Sequence, residues 1–207
     1  MVLLMANSYL NKVYDVSTSD SKELYASWAP TYDQEVNENG YATPDRVAKA
    51  LKEYVSDKST LILDYGCGTG LSGLALQSAG FKNLDGVDVS EEMVRIAEKK
   101  SIYKSLKVFD PDIKIPIYSE QYKIITAIGV IGAGAAPLTV FDDLFSLLPP
   151  SGFFAFSFND HTLSDPIYEE KVKQYVDSGR AAMLHKNYGS HLPKVNLKSN
   201  IYILKKL

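Results

Sequence analysis

The chain has 207 residues, of which 45% are hydrophobic and 23% charged, with a net charge of -3. That size and balance suit one globular domain and exclude a disordered chain. The mild acidity argues against gripping nucleic acid by counterion release. A single cysteine, Cys67, rules out an internal disulfide and a cysteine-built zinc site. The early apolar run Val2–Ala6 is too short for a membrane span or a signal-peptide core, so a cytoplasmic protein without membrane attachment is expected. Tyrosine is over-used, with 14 against one tryptophan.

In chain order, the first forty-odd residues are polar and aromatic with no strand pattern. A helix then begins at Thr43, which can cap it, with Pro44 in the first turn and Val47, Leu51 and Val55 along one face. Short apolar runs then alternate with helical patterns. Strands are predicted over 60–65, 83–89, 106–109, 122–129 and 152–158, and two more near 182–185 and 201–206. Helices are predicted after Gly70, after the capping Ser90, over 139–148 and from Asp165-Pro166. This alternation with continuous apolar strands predicts a mostly parallel, doubly wound α/β sheet of seven strands with a late antiparallel strand. One domain is expected: a helical cap and first helix over 1–55, a cofactor-binding core over 60–160, and a helix with a strand pair over 161–207. Such sheets bind ligands at the carboxyl ends of their strands.

The sharpest local feature is Leu61-Ile62-Leu63-Asp64-Tyr65-Gly66-Cys67-Gly68-Thr69-Gly70, followed by a helix from Leu71. Three glycines at alternate positions let the backbone turn tightly and approach a ligand, and the helix start offers unpaired N–H groups. Two ligands compete. The dinucleotide pattern fits Gly68, Gly70 and Gly73. Asp64 before the glycines disfavours a pyrophosphate and suits a cation, as in S-adenosylmethionine, with Asp64 near its amino-acid end. Asp88 ends the second strand about twenty residues on, where a carboxylate accepts from both ribose hydroxyls of either ligand.

At these residues the chain resembles the class I S-adenosylmethionine-dependent methyltransferases. LDYGCGTG is similar to their first motif and GVDVSEEMVRIA to the second, with Asp88 as its acid, Val89 after it and Met93 against the adenine. KVFDPDIKIPI resembles the third-strand segment, which puts Asp110 near the adenine amino group, with Asp112 as the alternative. YKIITAIGV resembles the fourth-strand motif, with Ile128 and Gly129 at its cofactor-facing end. It departs by having Lys123 where an acid is common. ELYASWAPTYDQEV, AIGVIGAGAAP and FSFNDHTLSDPIYEEKV further resemble the Williams–Beuren-region methyltransferase-like proteins, over most of the chain from residue 23.

The resemblance implies S-adenosylmethionine as cofactor, bound by Tyr32, Asp64, Gly66, Cys67, Gly68, Thr69, Gly70, Leu71, Asp88, Val89, Met93, Asp110, Ile128 and Gly129. Methyl transfer requires no metal, and no ligand-spaced His/Asp/Glu cluster is present. Asn159-Asp160-His161 is the best acceptor-side cluster, with His161 as base beside Asp160. His185 and His191 read as surface histidines, and Cys67 as a small packing residue. The stretch with Tyr25, Trp28, Tyr32 and Asp33 is expected to cap the site and exclude water, with Tyr32 nearest the methionine part. The apolar 131–136 segment makes adenine- or glutamine-type N-methylation less expected. The function that follows is methyl transfer to an oxygen or nitrogen of a small molecule by a monomer or homodimer. An NAD-dependent oxidoreductase and a non-catalytic S-adenosylmethionine-binding protein remain as alternatives.

Overall fold

The computed structural model describes residues 9–13, 21–111 and 117–207. Asp112, the alternative adenine ligand, lies outside them. Seven strands form one sheet in the order β3-β2-β1-β4-β5-β7-β6. These are β1 (Ile62–Tyr65), β2 (Leu84–Asp88), β3 (Ser105–Val108), β4 (Ile124–Ala127), β5 (Phe153–Asn159), β6 (Ala181–Leu192) and β7 (Leu197–Lys206). Neighbouring strands from β3 through β5 pair in parallel, and β7 runs antiparallel to both β5 and β6. This is the expected Rossmann-like, doubly wound sheet: the alternation predicts its parallel part, and the reversed strand falls late in the chain as expected. The chain reverses its winding between β1 and β4, and ligand crevices in such sheets open at that point.

β1 and β4 are buried along their whole length because helices cover both faces. On one face, α3 (Thr43–Tyr54) and α4 (Leu71–Ser78) pack through Val47, Leu51 and Leu76 against Ile62, Ile124 and Ile203. On the other, α6 (Thr139–Leu147) and α8 (Pro166–Asp177) stack Phe141, Phe145 and Tyr175 on Phe154 and Phe156. α5 (Glu91–Lys99) starts as expected, with the Ser90 hydroxyl accepting from Met93 N–H. The amino-terminal stretch forms α1 (Tyr9–Lys12) and the long α2 (Ser21–Glu38), and α7 (Asp160–Leu163) follows β5.

Much of the tyrosine excess serves carboxylates inside this frame. Tyr103, Tyr122, Tyr175, Tyr188 and Tyr202 donate to Asp64, Asp85, Asp142, Asp160 and Glu169 respectively. A phenol brings a large apolar body and one donor, so it can satisfy an acid without adding a second charge.

Two expectations are corrected. Thr43 does not cap α3: Ala42 is the capping residue, and the Thr43 side chain is turned inward and fully buried. The strand predicted near 182–185 extends to Leu192, because the long antiparallel pairing with β7 carries it beyond its apolar start.

Candidate active site

The turn after β1 lies at the carboxyl edge of the sheet. Gly66, Gly68 and Gly70 all have positive φ, of +66°, +52° and +94°, which explains the glycines at alternate positions. Their surroundings differ. A Cβ on Gly66 would come within 2.5 Å of Val130, which crosses over from the end of β4. A Cβ on Gly68 would meet nothing within 4 Å, so this stretch of backbone is open to a ligand. Thr69 is buried, and Gly70 caps α4 in a left-handed conformation.

Two buried carboxylates serve this turn in different ways. Asp88 reaches across from β2, accepting from Gly68 N–H at 2.8 Å and from Ser90 N–H at 2.9 Å. Burial raises its pKa and the N–H donors oppose that rise. Asp64 is fully buried and accepts from the hydroxyls of Ser72, Tyr103 and Thr126 at 2.5, 2.6 and 2.7 Å. It therefore joins β1 to α4 and β4 and presents no surface to a ligand. The Asp64 expected near the amino-acid end of the cofactor is thus surrounded by side-chain hydroxyls of the fold. The Cys67 thiol is buried and its pKa is pushed well up by desolvation, as for a packing residue.

α2 lies over this edge. Trp28 stacks on Tyr9 and Tyr25 and meets Tyr32 edge-on, and its indole N–H donates to Glu35 at 2.6 Å. Leu71, the first residue of α4, packs into the same cluster. A polar clamp joins α2 to the glycine turn. Asp33 accepts from Thr69 Oγ1 at 2.5 Å and from Lys100 Nζ at 2.6 Å, and Lys100 also donates to the Thr69 carbonyl. Between α2 and the ends of β4 and β5 is a cavity of about 50 Å³. Tyr25, Trp28, Tyr32, Tyr41, Gly129 and His191 are among its walls, and among the described residues no Asp, Glu, Lys or Arg lines it.

A family model described as a methyltransferase domain matches residues 35–197. The chain belongs to that methyltransferase-domain family. It is 28% identical over 160 residues to human methyltransferase-like protein 27, covering 74% of this chain and 63% of that protein. Against the ubiquinone biosynthesis O-methyltransferase of Hydrogenovibrio crunogenus it is 27% identical over 111 residues, covering 52% and 46%. The chain thus spans less than two thirds of the length of both curated relatives. Among solved structures, magnesium protoporphyrin IX methyltransferase from Synechocystis PCC 6803, with bound S-adenosylmethionine, matches at a TM-score of 0.65 and 17% identity. That match covers 98% of this chain and 99% of the other. The fold and family are those of the class I S-adenosylmethionine-dependent methyltransferases, and S-adenosylmethionine is the cofactor.

The methyltransferase's own residues fit that cofactor. Gly68 leaves an open backbone face, and among the described residues the Asp88 carboxylate beside it has backbone N–H partners only. Met93, Val89 and Leu71 lie on the elements that flank this face, and Met93 is buried beneath it on α5. Gly129, two residues past β4, has φ +71°, donates its N–H to Ser157 Oγ at 2.9 Å, and is walled by the Tyr41 hydroxyl. Ile128 before it is buried on the α3 face. Asp110 is exposed past the end of β3. Among the described residues, no group of His, Cys, Asp and Glu is arranged to hold a metal ion, and no helix is long and apolar enough to cross a membrane.

On the acceptor side the structure redistributes the sequence candidates. Tyr32 lines the cavity. His161 is exposed and is not among the lining residues, and Asp160 accepts from Tyr188 O–H and Lys198 N–H, tying α7 to the β6–β7 hairpin. His191 is the histidine in the cavity wall, which corrects its reading as a surface residue. It escapes sequence reading because its burial depends on β6 reaching Leu192 and on contact with Thr43, 148 positions away. Lys100, at the end of α5, is a further contributor that sequence reading misses, because nothing in the sequence links it to Asp33, 67 positions away.

Proposed function

We propose that the domain transfers the methyl group of S-adenosylmethionine to an oxygen or nitrogen of a small-molecule acceptor held in the aromatic cavity. The observation that carries this reading is the position of that cavity. Gly129 lines it, on the same sheet edge as the glycine turn, and among the described residues its walls are aromatic and aliphatic, with Ser157, Asn159, Thr162 and His191 as the polar groups and no Asp, Glu, Lys or Arg. Bound cofactor supplies an electrophilic methyl on a sulfonium. The protein's part is then to orient the acceptor, exclude water and close α2 over the pair. A cavity of about 50 Å³ is small beside the roughly 150 Å³ that admits a benzene ring. Acceptor entry therefore involves a shift of α2, and the Asp33 clamp limits that shift. The net charge of -3 disfavours a nucleic-acid acceptor.

Calorimetry with S-adenosylhomocysteine and with NAD tests the cofactor half of the reading. Binding of the first and not the second is expected, and the reverse overturns it. A screen of phenol, carboxylate and amine acceptors with radiolabelled methyl donor tests the other half. Homocysteine-compound binding without turnover of any acceptor would favour a non-catalytic binding protein.

A further inference from the structure

His191 is held by a chain of side chains whose direction can be worked out from what each group is able to donate. Arg46 Nη1 approaches Ser199 Oγ at 3.0 Å, Ser199 Oγ lies 2.9 Å from Thr43 Oγ1, and Thr43 Oγ1 lies 2.8 Å from His191 Nδ1. A guanidinium only donates, so the Ser199 oxygen accepts. Ser199 is fully buried, and among the described residues the acceptor within reach of its hydrogen is Thr43 Oγ1. Thr43 then donates its own hydrogen to Nδ1. A neutral imidazole that accepts at Nδ1 carries its proton on Nε2. The opposite direction would leave the buried Ser199 hydrogen without a partner, which is costly. Thr43 and Ser199 thus fix the tautomer of a residue in the cavity wall.

The rest of the lining agrees with a donor at that place. Ser157 Oγ accepts from Gly129 N–H, so its hydrogen remains to be donated. Thr162 Oγ1 accepts from Ala133 N–H and donates to Asn159 Oδ1, so it is occupied. Among the described residues no carboxylate lines the cavity to hold an amine or ammonium group, and Tyr25, Trp28, Tyr32 and Tyr41 give it aromatic surfaces against which a planar ring can pack. Resting on the methyltransferase reading above, we propose that His191 binds the acceptor through Nε2–H, and that the acceptor is a phenol or enol methylated as its oxyanion.

In the step, the hydroxyl proton leaves to solvent before transfer. An oxygen lone pair then forms the O–CH3 bond as the S–CH3 bond breaks, and that bond's electron pair stays on sulfur. His191 acts as a neutral donor to the oxyanion, as in other sites that stabilise charge without a counter-ion. Burial first, and Arg46 on α3 and His161 on α7 with it, lower its pKa to about 4 against an upward pull from Asp160 on α7. The ring therefore stays neutral near pH 7.

The test is 15N NMR of the full chain labelled at histidine. His191 should show a pyridine-like Nδ1 and a pyrrole-like Nε2 from pH 6 to pH 8, and Thr43→Val should disturb that pattern. The reverse tautomer, or an imidazolium, overturns the proposal whether or not the chain binds cofactor. In turnover, graded phenols should react at rates that rise with pH toward each acceptor's own pKa. His191→Phe should raise the KM for them about tenfold, and His191→Gln, which keeps an N–H near the Nε2 position, should recover part of that loss. Preference for amines over phenols, or equal KM values for both variants and wild type, refutes it. S-adenosylhomocysteine binding is measured alongside, so failure of the underlying reading is seen separately.

Discussion

Asp33→Asn isolates what fastens the cap to the cofactor turn. The native carboxylate joins two partners on different elements, the Thr69 hydroxyl in the glycine turn and the Lys100 ammonium at the end of α5. An asparagine keeps the shape and one acceptor oxygen and loses the charge. Two charge-assisted hydrogen bonds in a dry site would be worth several kcal/mol, but the Asp33 and Lys100 side chains are 32% and 18% exposed, so solvent screens them. A loss of about 1.4 kcal/mol is the reasonable magnitude, equal to a tenfold change in an opening equilibrium. Because the clamp holds α2 and not the sheet, the loss should be local. Hydrogen exchange should therefore show amides of Ala26–Val36 exchanging about tenfold faster, with those of β1, β4 and β5 unchanged. A double cycle with Lys100→Met should return a coupling of about 1 kcal/mol between the two residues. Unchanged protection in α2, or an equal loss throughout the sheet, would show that Asp33 does not act as a fastening for the cap.

Four further outcomes follow from the same geometry. Asp88→Ala should weaken S-adenosylhomocysteine binding by about 1.5–3 kcal/mol, measured by calorimetry, since it removes a charged acceptor from the cofactor face; unchanged affinity would remove Asp88 from the site. Gly66→Ala should cost about 2–3 kcal/mol in urea denaturation, because its Cβ would strike Val130 at 2.5 Å in a positive-φ conformation. Gly68→Ala should cost only about 1 kcal/mol of stability and lower cofactor affinity instead, and equal stability losses would refute the distinction. His191 binds protons less readily folded than unfolded, so stability should be full above its ordinary pKa of 6.5 and fall as pH drops toward about 4, by about 3 kcal/mol; a His191→Gln variant with the same acid slope would assign that slope to other groups.

The sheet was legible because its inner strands need no partner to declare themselves. Residues 61–63 are a continuous apolar run, residues 124–128 are apolar apart from the β-branched Thr126, and such runs between helical patterns have few arrangements open to them. The Ser90 cap was legible for the same local reason, its hydroxyl lying three residues before the N–H it accepts from. β6 was not. It lies on the outer edge of the sheet, where one side of the strand has no neighbour, and its burial is partial through its middle. Its register is imposed by β7, and the sequence of β6 alone does not carry it. Thr43 misled for a related reason: it has the residue type of a cap, and the deciding factor was a pair of hydroxyl and imidazole partners near the far end of the chain.

The acids near the glycine turn show where motif reading stops. Asp64 and Asp88 both sit near the carboxyl ends of their strands, and their spacing to the glycines suggests two ligand contacts. The structure separates them by the kind of donor each meets. Asp64 is enclosed by three side-chain hydroxyls from α4, β4 and the segment after α5, all of which need a buried acceptor of their own. Asp88 meets backbone N–H groups at the edge of an open face, one of them from Gly68 itself. A ligand hydroxyl arriving there can join those donors without leaving a buried hydroxyl unpaired, and at Asp64 it cannot. The side-chain donors thus make Asp64 a joint of the fold, and the backbone donors suit Asp88 to the cofactor contact that the Asp88→Ala measurement tests. Asp33, with no place in the strand motifs, completes the set by tying the cap to Thr69 between them.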